Sequence, residues 1–75
     1  MQLANFALMY ILKIKGTAKI PDYIQLRGDD FTLKAYFRLD RPDKSLERIG
    51  LGDKLEKIME IAAGLPFGKI EKIDL

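Results

Sequence analysis

Cysteine, histidine and tryptophan are absent from this chain of 75 residues, and serine occurs only once, at Ser45. Without cysteine there is no disulfide, no thiolate zinc site, no iron–sulfur cluster and no thiol nucleophile. Without histidine the chain lacks the commonest metal ligand and the side chain that titrates near neutral pH. These absences exclude most classes of enzyme, and we expect a non-catalytic protein with no metal and no cofactor.

Length and composition predict one small folded domain covering residues 1–75. Hydrophobic residues make up 48% of the chain and charged residues 32%, which is ordinary for a globular protein. The formal net charge is +2, and the basic excess lies within residues 1–40. No run of like charges resembles a nucleic-acid-binding arm or an acidic tail.

Residues 3–12 form an apolar stretch about half as long as the roughly 20 residues that a transmembrane helix needs. A secretory signal would carry its basic residues before the apolar segment, whereas Lys13 and Lys15 follow it here. We therefore expect a cytoplasmic protein with no membrane partner, whose N-terminus is part of the fold.

Alternating apolar residues predict three strands in the first half of the chain. Residues 8–15 are apolar on both faces at first and amphipathic afterwards, which is typical of a central strand. Residues 23–27 and 31–39 alternate cleanly around a turn at Gly28-Asp29-Asp30. The predicted hairpin places Leu26 opposite Leu33 and Tyr23 opposite Tyr36.

A helical turn over residues 45–49 and one main helix are predicted in the second half. Asp53 is the expected N-cap of the main helix, with Glu56 completing a capping box, and apolar residues recur at helical spacing from Leu55 to Leu65. Gly64 is expected to end this helix in a left-handed conformation. Residues 69–75 form a last short strand.

These elements predict an α+β domain with the order β-β-β-α-β. We expect the last strand to lie beside the first and parallel to it, which gives a four-stranded mixed sheet of order 4-1-2-3. The main helix covers one face of the sheet, with Leu33 and Phe37 buried beneath it, and the opposite face is open.

Three local patterns suggest chemistry, but each has a simpler structural interpretation. Residues 50–54, Gly-Leu-Gly-Asp-Lys, resemble a phosphate loop, yet Asp53 would repel the phosphate, and we interpret them as a helix entry. Asp29 and Asp30 form a carboxylate pair, which we interpret as a hairpin turn. Ser45 beside Lys44 has no histidine to activate it, and we interpret it as a helix cap.

The open sheet face is the stronger functional candidate. Ten residues are predicted to project from it, combining tyrosines, basic residues and an apolar corner: Met9, Ile11, Lys13, Lys15, Tyr23, Gln25, Arg27, Lys34, Tyr36 and Arg38. Tyrosine, methionine and arginine are enriched at protein interfaces, which favours an accessory or adaptor protein that binds a protein partner or a second copy of itself. Tyrosines among basic residues also suit single-stranded RNA, and a merely solvated face is the remaining interpretation.

Overall fold

The structure, a computed structural model, describes residues 8–75 and forms a single α+β domain. The strands are β1 (Leu8–Ile14), β2 (Tyr23–Arg27), β3 (Leu33–Arg38) and β4 (Ile70–Asp74). Two helices, α1 (Asp43–Arg48) and α2 (Leu55–Gly64), connect β3 to β4, and the 3-10 turn Gly52–Lys54 joins them. Within residues 8–75 no helix is long and apolar enough to cross a membrane. The prediction that the N-terminus belongs to the fold concerns residues 1–7 and lies outside the described residues.

The strand order β3-β2-β1-β4 confirms the predicted sheet order, with β1 in the interior of the sheet. The predicted mixed sheet is wrong, because β4 pairs with β1 in the antiparallel direction and Tyr10 lies opposite Lys72. Phe67, which precedes β4, forms a bridge with Lys13 at the end of β1. The connection through α1 and α2 therefore returns the chain to the end of β1, and β4 runs back along it.

One face of the sheet, which we call the inner face, packs against both helices. Strand residues and helix residues share a single buried cluster, which comprises Met9, Ile11, Ile24, Leu26, Ala35, Phe37, Leu46, Leu51, Ile58, Ala62, Leu65 and Ile73. The prediction that Phe37 is buried is confirmed. Burying apolar side chains at about 25 cal/mol per Å² is the main favourable term that holds a domain of this size together.

The orientation predicted for β1 is wrong. Met9 and Ile11 are buried on the inner face together with Lys13, whereas Leu8, Leu12 and Ile14 alternate to the opposite side. The first half of β1 is apolar on both faces, so its sequence pattern does not decide which side is buried. The second half of β1 indicates the wrong face, because a lysine is normally exposed, whereas Lys13 is buried and donates a hydrogen bond to Ala62 of α2.

The β2–β3 hairpin forms as predicted, but its register differs by two residues. Gln25 rather than Tyr23 lies opposite Tyr36. Phe31 takes a left-handed conformation with φ 71° at the end of the turn, and its N–H donates to the Gly28 carbonyl at 2.9 Å. The register then shifts between Leu26 and Arg27, which places Leu33 opposite Arg27. Leu33, predicted to be buried, is consequently exposed, and its pairing with Arg27 puts it on the side away from the helices.

The helix ends also differ from the predictions. Asp53 lies inside the 3-10 turn, and no side chain caps the start of α2. Ser45 lies within α1, which likewise has no side-chain cap. Gly64 is the last residue of α2, and the cap residue Leu65 is extended, so no left-handed glycine ends this helix.

Candidate functional site

The face of the sheet opposite the helices, which we call the outer face, collects side chains from all four strands. Pairing and alternation, with the register shift beside Arg27 that brings both Leu33 and Lys34 to this side, place fourteen residues on it: Leu8, Tyr10, Leu12, Ile14, Tyr23, Gln25, Arg27, Leu33, Lys34, Tyr36, Arg38, Ile70, Lys72 and Asp74. Phe31 from the hairpin turn lies at the margin of this face, against Tyr10. Both helices contribute to the core on the inner face. Among the described elements, therefore, none packs on the outer face.

Six of the ten residues predicted for the open face lie on it together: Tyr23, Gln25, Arg27, Lys34, Tyr36 and Arg38. Met9, Ile11 and Lys13 belong to the interior instead. Lys15 lies beyond the end of β1, and its Nζ is 4.8 Å from the centre of the Phe67 ring.

Apart from Tyr36, the large hydrophobic side chains that are exposed on the outer face were missed by the sequence predictions. The described residues include seven exposed large hydrophobic side chains, and five of them lie here: Leu8, Phe31, Leu33, Tyr36 and Ile70. The sequence did contain a signal for an apolar outer face, because the first half of β1 is apolar on both sides. Whichever side is buried in the core, the other side then exposes apolar residues. A solvated face of an antiparallel sheet is normally polar, so this concentration is unusual.

Two aromatic pairs order the side chains of the outer face. Tyr23 and Tyr36 stack with their ring centres 4.7 Å apart, at an angle of 30°. Tyr10 meets Phe31 edge to face at 5.2 Å. Each pair contributes about 0.5–1.5 kcal/mol beyond the burial of its area, which favours the observed orientation of the rings.

The Arg27 guanidinium links the hairpin turn to the outer face. Its Cζ lies 4.9 Å from the centre of the Phe31 ring, and Nη1 donates to the Phe31 carbonyl oxygen at 3.0 Å. Nη2 donates to Oε1 of Gln25 at 3.1 Å, while Nε is buried with no hydrogen-bond partner. The guanidinium of Arg27 therefore already makes hydrogen bonds and a cation–π contact with neighbouring groups of the outer face.

Arg38, at the other end of the hairpin, is paired with Asp40. Nε and Nη2 of Arg38 donate to the two carboxylate oxygens at 3.0 and 2.9 Å. These hydrogen bonds lower the pKa of Asp40 and raise the pKa of Arg38. Because the pair is solvent-exposed, it orients the guanidinium more than it stabilises the fold.

The carboxylate pair at Asp29 and Asp30 forms the hairpin turn. Asp30 Oδ1 accepts the Thr32 backbone N–H at 2.9 Å, and this hydrogen bond lowers the pKa of Asp30. Residues 8–75 contain no group of three or more acidic side chains arranged to hold a metal ion. Asp30 therefore stabilises the backbone of the turn.

Lys13 has a structural role on the inner side. Its side chain is 8% exposed, and Nζ donates to the Ala62 carbonyl in the last turn of α2 at 2.8 Å. The same Nζ lies 4.6 Å from the centre of the Phe67 ring. Carbonyls at a helix C-terminus carry partial negative charge, which together with the ring compensates the buried ammonium.

A shallow cleft of about 270 Å³ lies at the opposite end of the hairpin from the Asp29–Asp30 turn, lined by Pro21, Asp22, Leu39 and Asp40. Asp22 Oδ1 already accepts the Gly16 N–H at 2.7 Å, and Asp40 is paired with Arg38. Both acidic groups of this cleft are engaged in holding the chain, so the outer face is the better candidate site.

Comparisons with known proteins add no functional information. No protein-family model matches the chain, and no curated protein or solved structure matches it. Function must therefore be inferred from the outer face itself.

Proposed function

We propose that this chain is a small non-catalytic accessory or adaptor protein that binds a partner protein through the outer face of its sheet. The observation that carries the proposal is the asymmetry of exposed apolar groups, because five of the seven exposed large hydrophobic side chains among residues 8–75 lie there. Exposed apolar patches with ordered aromatic residues and arginine are characteristic of protein-binding surfaces.

The charges of the outer face favour a different protein over a second copy. Four basic side chains, Arg27, Lys34, Arg38 and Lys72, stand on its strands against one acidic residue, Asp74. Two such faces brought together would oppose like charges, which costs binding energy. The complementary partner is an apolar protein surface with an acidic rim.

The same contacts disfavour nucleic acid, which was the alternative from the sequence. Stacking of bases requires accessible aromatic ring faces, and one face of each of the Tyr23 and Tyr36 rings is covered by the other ring. Phosphate binding requires available guanidinium or ammonium groups, and two of the four basic side chains of the outer face, Arg27 and Arg38, are already engaged within the protein, which leaves Lys34 and Lys72 for such contacts.

Backbone strain at Phe31 supports a binding role for this region. A left-handed conformation costs a residue with a side chain roughly 1–2 kcal/mol, and glycine or asparagine would usually occupy such a position. Phe31 adopts it with φ 71° while its ring stays exposed beside Tyr10. Strained residues cluster at functional sites, and an exposed aromatic ring is a common anchor of an interface.

Affinity capture with two matched variants tests the proposal. Leu33→Lys places a charge on the outer face at a residue that is 46% exposed, and Ile20→Lys makes the same change at a residue that is 55% exposed in the β1–β2 connection. Each variant carries a tag and is incubated with a nuclease-treated lysate of the native cells. We expect wild type and Ile20→Lys to retain the same protein and Leu33→Lys to lose it.

Equal recovery of all proteins by wild type and Leu33→Lys would contradict the proposal. A parallel capture without nuclease examines the alternative, because recovery of RNA that falls steeply with added salt would identify a nucleic-acid surface. If light scattering instead showed a dimer that only Leu33→Lys dissociates, the outer face would be a self-interface.

A further inference from the structure

Among residues 8–75, strand β4 forms one edge of the sheet, and the backbone groups on its outer side pair with no other described strand. Four of its five residues are exposed. The other edge strand, β3, is less suited to pairing, because the register shift opposite Arg27 disturbs its regular spacing. A regular edge strand is a natural template for another strand, and proteins that remain monomeric usually disrupt such edges.

The sequence of β4 restricts how it could pair with a second copy. In an antiparallel pair, residues directly opposite each other lie on the same side of the sheet, so a two-fold pairing must be centred on a residue. Centring on Glu71, Lys72 or Asp74 opposes two like charges across the axis. Centring on Ile70 would pair residues 71–74 with residues 66–69, which precede β4 and are not part of the strand. Centring on Ile73 places the two isoleucines opposite each other and sets Lys72 against Asp74 of the second copy, twice.

We propose that two copies of this chain form a two-fold dimer by antiparallel pairing of β4 with β4, centred on Ile73. Opposite charges directly across a strand pair stabilise it, and like charges destabilise it. The dimer joins two four-stranded sheets into one continuous sheet of eight strands and places both outer faces on the same side. The inference rests on the β4 edge and is independent of the proposed function.

Charge exchange between Lys72 and Asp74 tests the pairing. Lys72→Asp leaves only acidic residues at the two positions, and Asp74→Lys leaves only basic ones, so each variant alone opposes like charges. We expect sedimentation equilibrium at hundreds of micromolar to show a wild-type dimer and a dissociation constant raised about tenfold or more in each variant. An equimolar mixture of the two variants restores opposite charges at both pairs and should sediment as a dimer.

Two controls separate this result from other effects. Lys57→Asp makes the same charge change on the exposed side of α2 and should leave the dimer intact. Leu33→Lys should also remain dimeric, which distinguishes the β4 interface from the outer face. A monomeric wild type, or a mixture that stays monomeric, would overturn the inference, and circular dichroism of each variant verifies that it is folded.

Discussion

At the scale of single residues, Gly16 shows how backbone crowding fixes one amino acid. A Cβ at this position would overlap the Ile20 carbonyl oxygen and come within 2.5 Å of the Pro21 carbonyl carbon. The same Ile20 oxygen accepts the Thr17 N–H at 2.8 Å, and the Gly16 N–H donates to Asp22. The connection between β1 and β2 therefore packs so tightly around residue 16 that only glycine fits there.

Gly16→Ala should lower the free energy of unfolding by about 1–3 kcal/mol, because backbone atoms must move to admit the methyl group. Gly64→Ala is the matched control. Its Cβ would meet nothing within 4 Å at the end of α2, and alanine is the better helix former. Urea denaturation of both variants measures the difference, and equal stability would show that the connection is not tightly closed.

At the scale of elements, Lys13 attaches the end of α2 to β1. Its ammonium donates to Ala62, and the Gly68 N–H donates to the Lys13 carbonyl oxygen at 2.7 Å. The side chain of Lys13 thus binds the end of α2, and its backbone carbonyl binds the segment that leads into β4. Lys15 approaches the same Phe67 ring from an exposed position.

Lys13→Met should cost about 1–3 kcal/mol of unfolding free energy, because it removes a buried charged hydrogen bond while leaving the side-chain volume nearly unchanged. Lys15→Met removes only an exposed cation–ring contact, which is worth about 0.5–1 kcal/mol. Thermal or urea denaturation compares the two. A larger loss for Lys15→Met would contradict the role assigned to Lys13.

Sequence patterns predicted each strand and the main helix because their apolar residues repeat with the right period. They also placed Ile24, Leu26 and Phe37 correctly on the buried side, since β2 and most of β3 alternate without exception. The face of β1 could not be predicted, because Met9 and Leu8 are equally suited to burial. The choice depends on Lys13 meeting a helix end 49 residues away in the chain.

Turn conformation and the position of the helix end decided two further features that the patterns missed. Phe31 adopts a backbone conformation that its residue type disfavours, which lengthens the turn, and the later register shift moves Leu33 outward. The direction of β4 depends on where α2 ends relative to β1. Six outer-face residues were therefore predictable from alternation within β2 and β3, whereas the apolar contribution of β1 was not.

At the scale of the whole molecule, the domain is a sheet with two unlike sides. The inner face is closed by α1 and α2 around a single apolar cluster. The outer face carries exposed apolar groups, ordered aromatic pairs and engaged arginines. Its proposed binding role requires that the core lie entirely on the inner face. In β1 the residues on both faces are apolar, so this strand is where the assignment of the core to one face is tested.

Neighbouring residues of β1 provide the most direct test of this claim. Met9 is 1% exposed on the inner face, and Leu8 is 42% exposed on the outer face. Urea denaturation should show a loss of about 2–5 kcal/mol for Met9→Ala, a large part of the roughly 4–11 kcal/mol expected for a domain of this size. Leu8→Ala should cost no more than about 1 kcal/mol. A greater loss for Leu8→Ala than for Met9→Ala would place the core on the outer face and contradict the proposed binding surface.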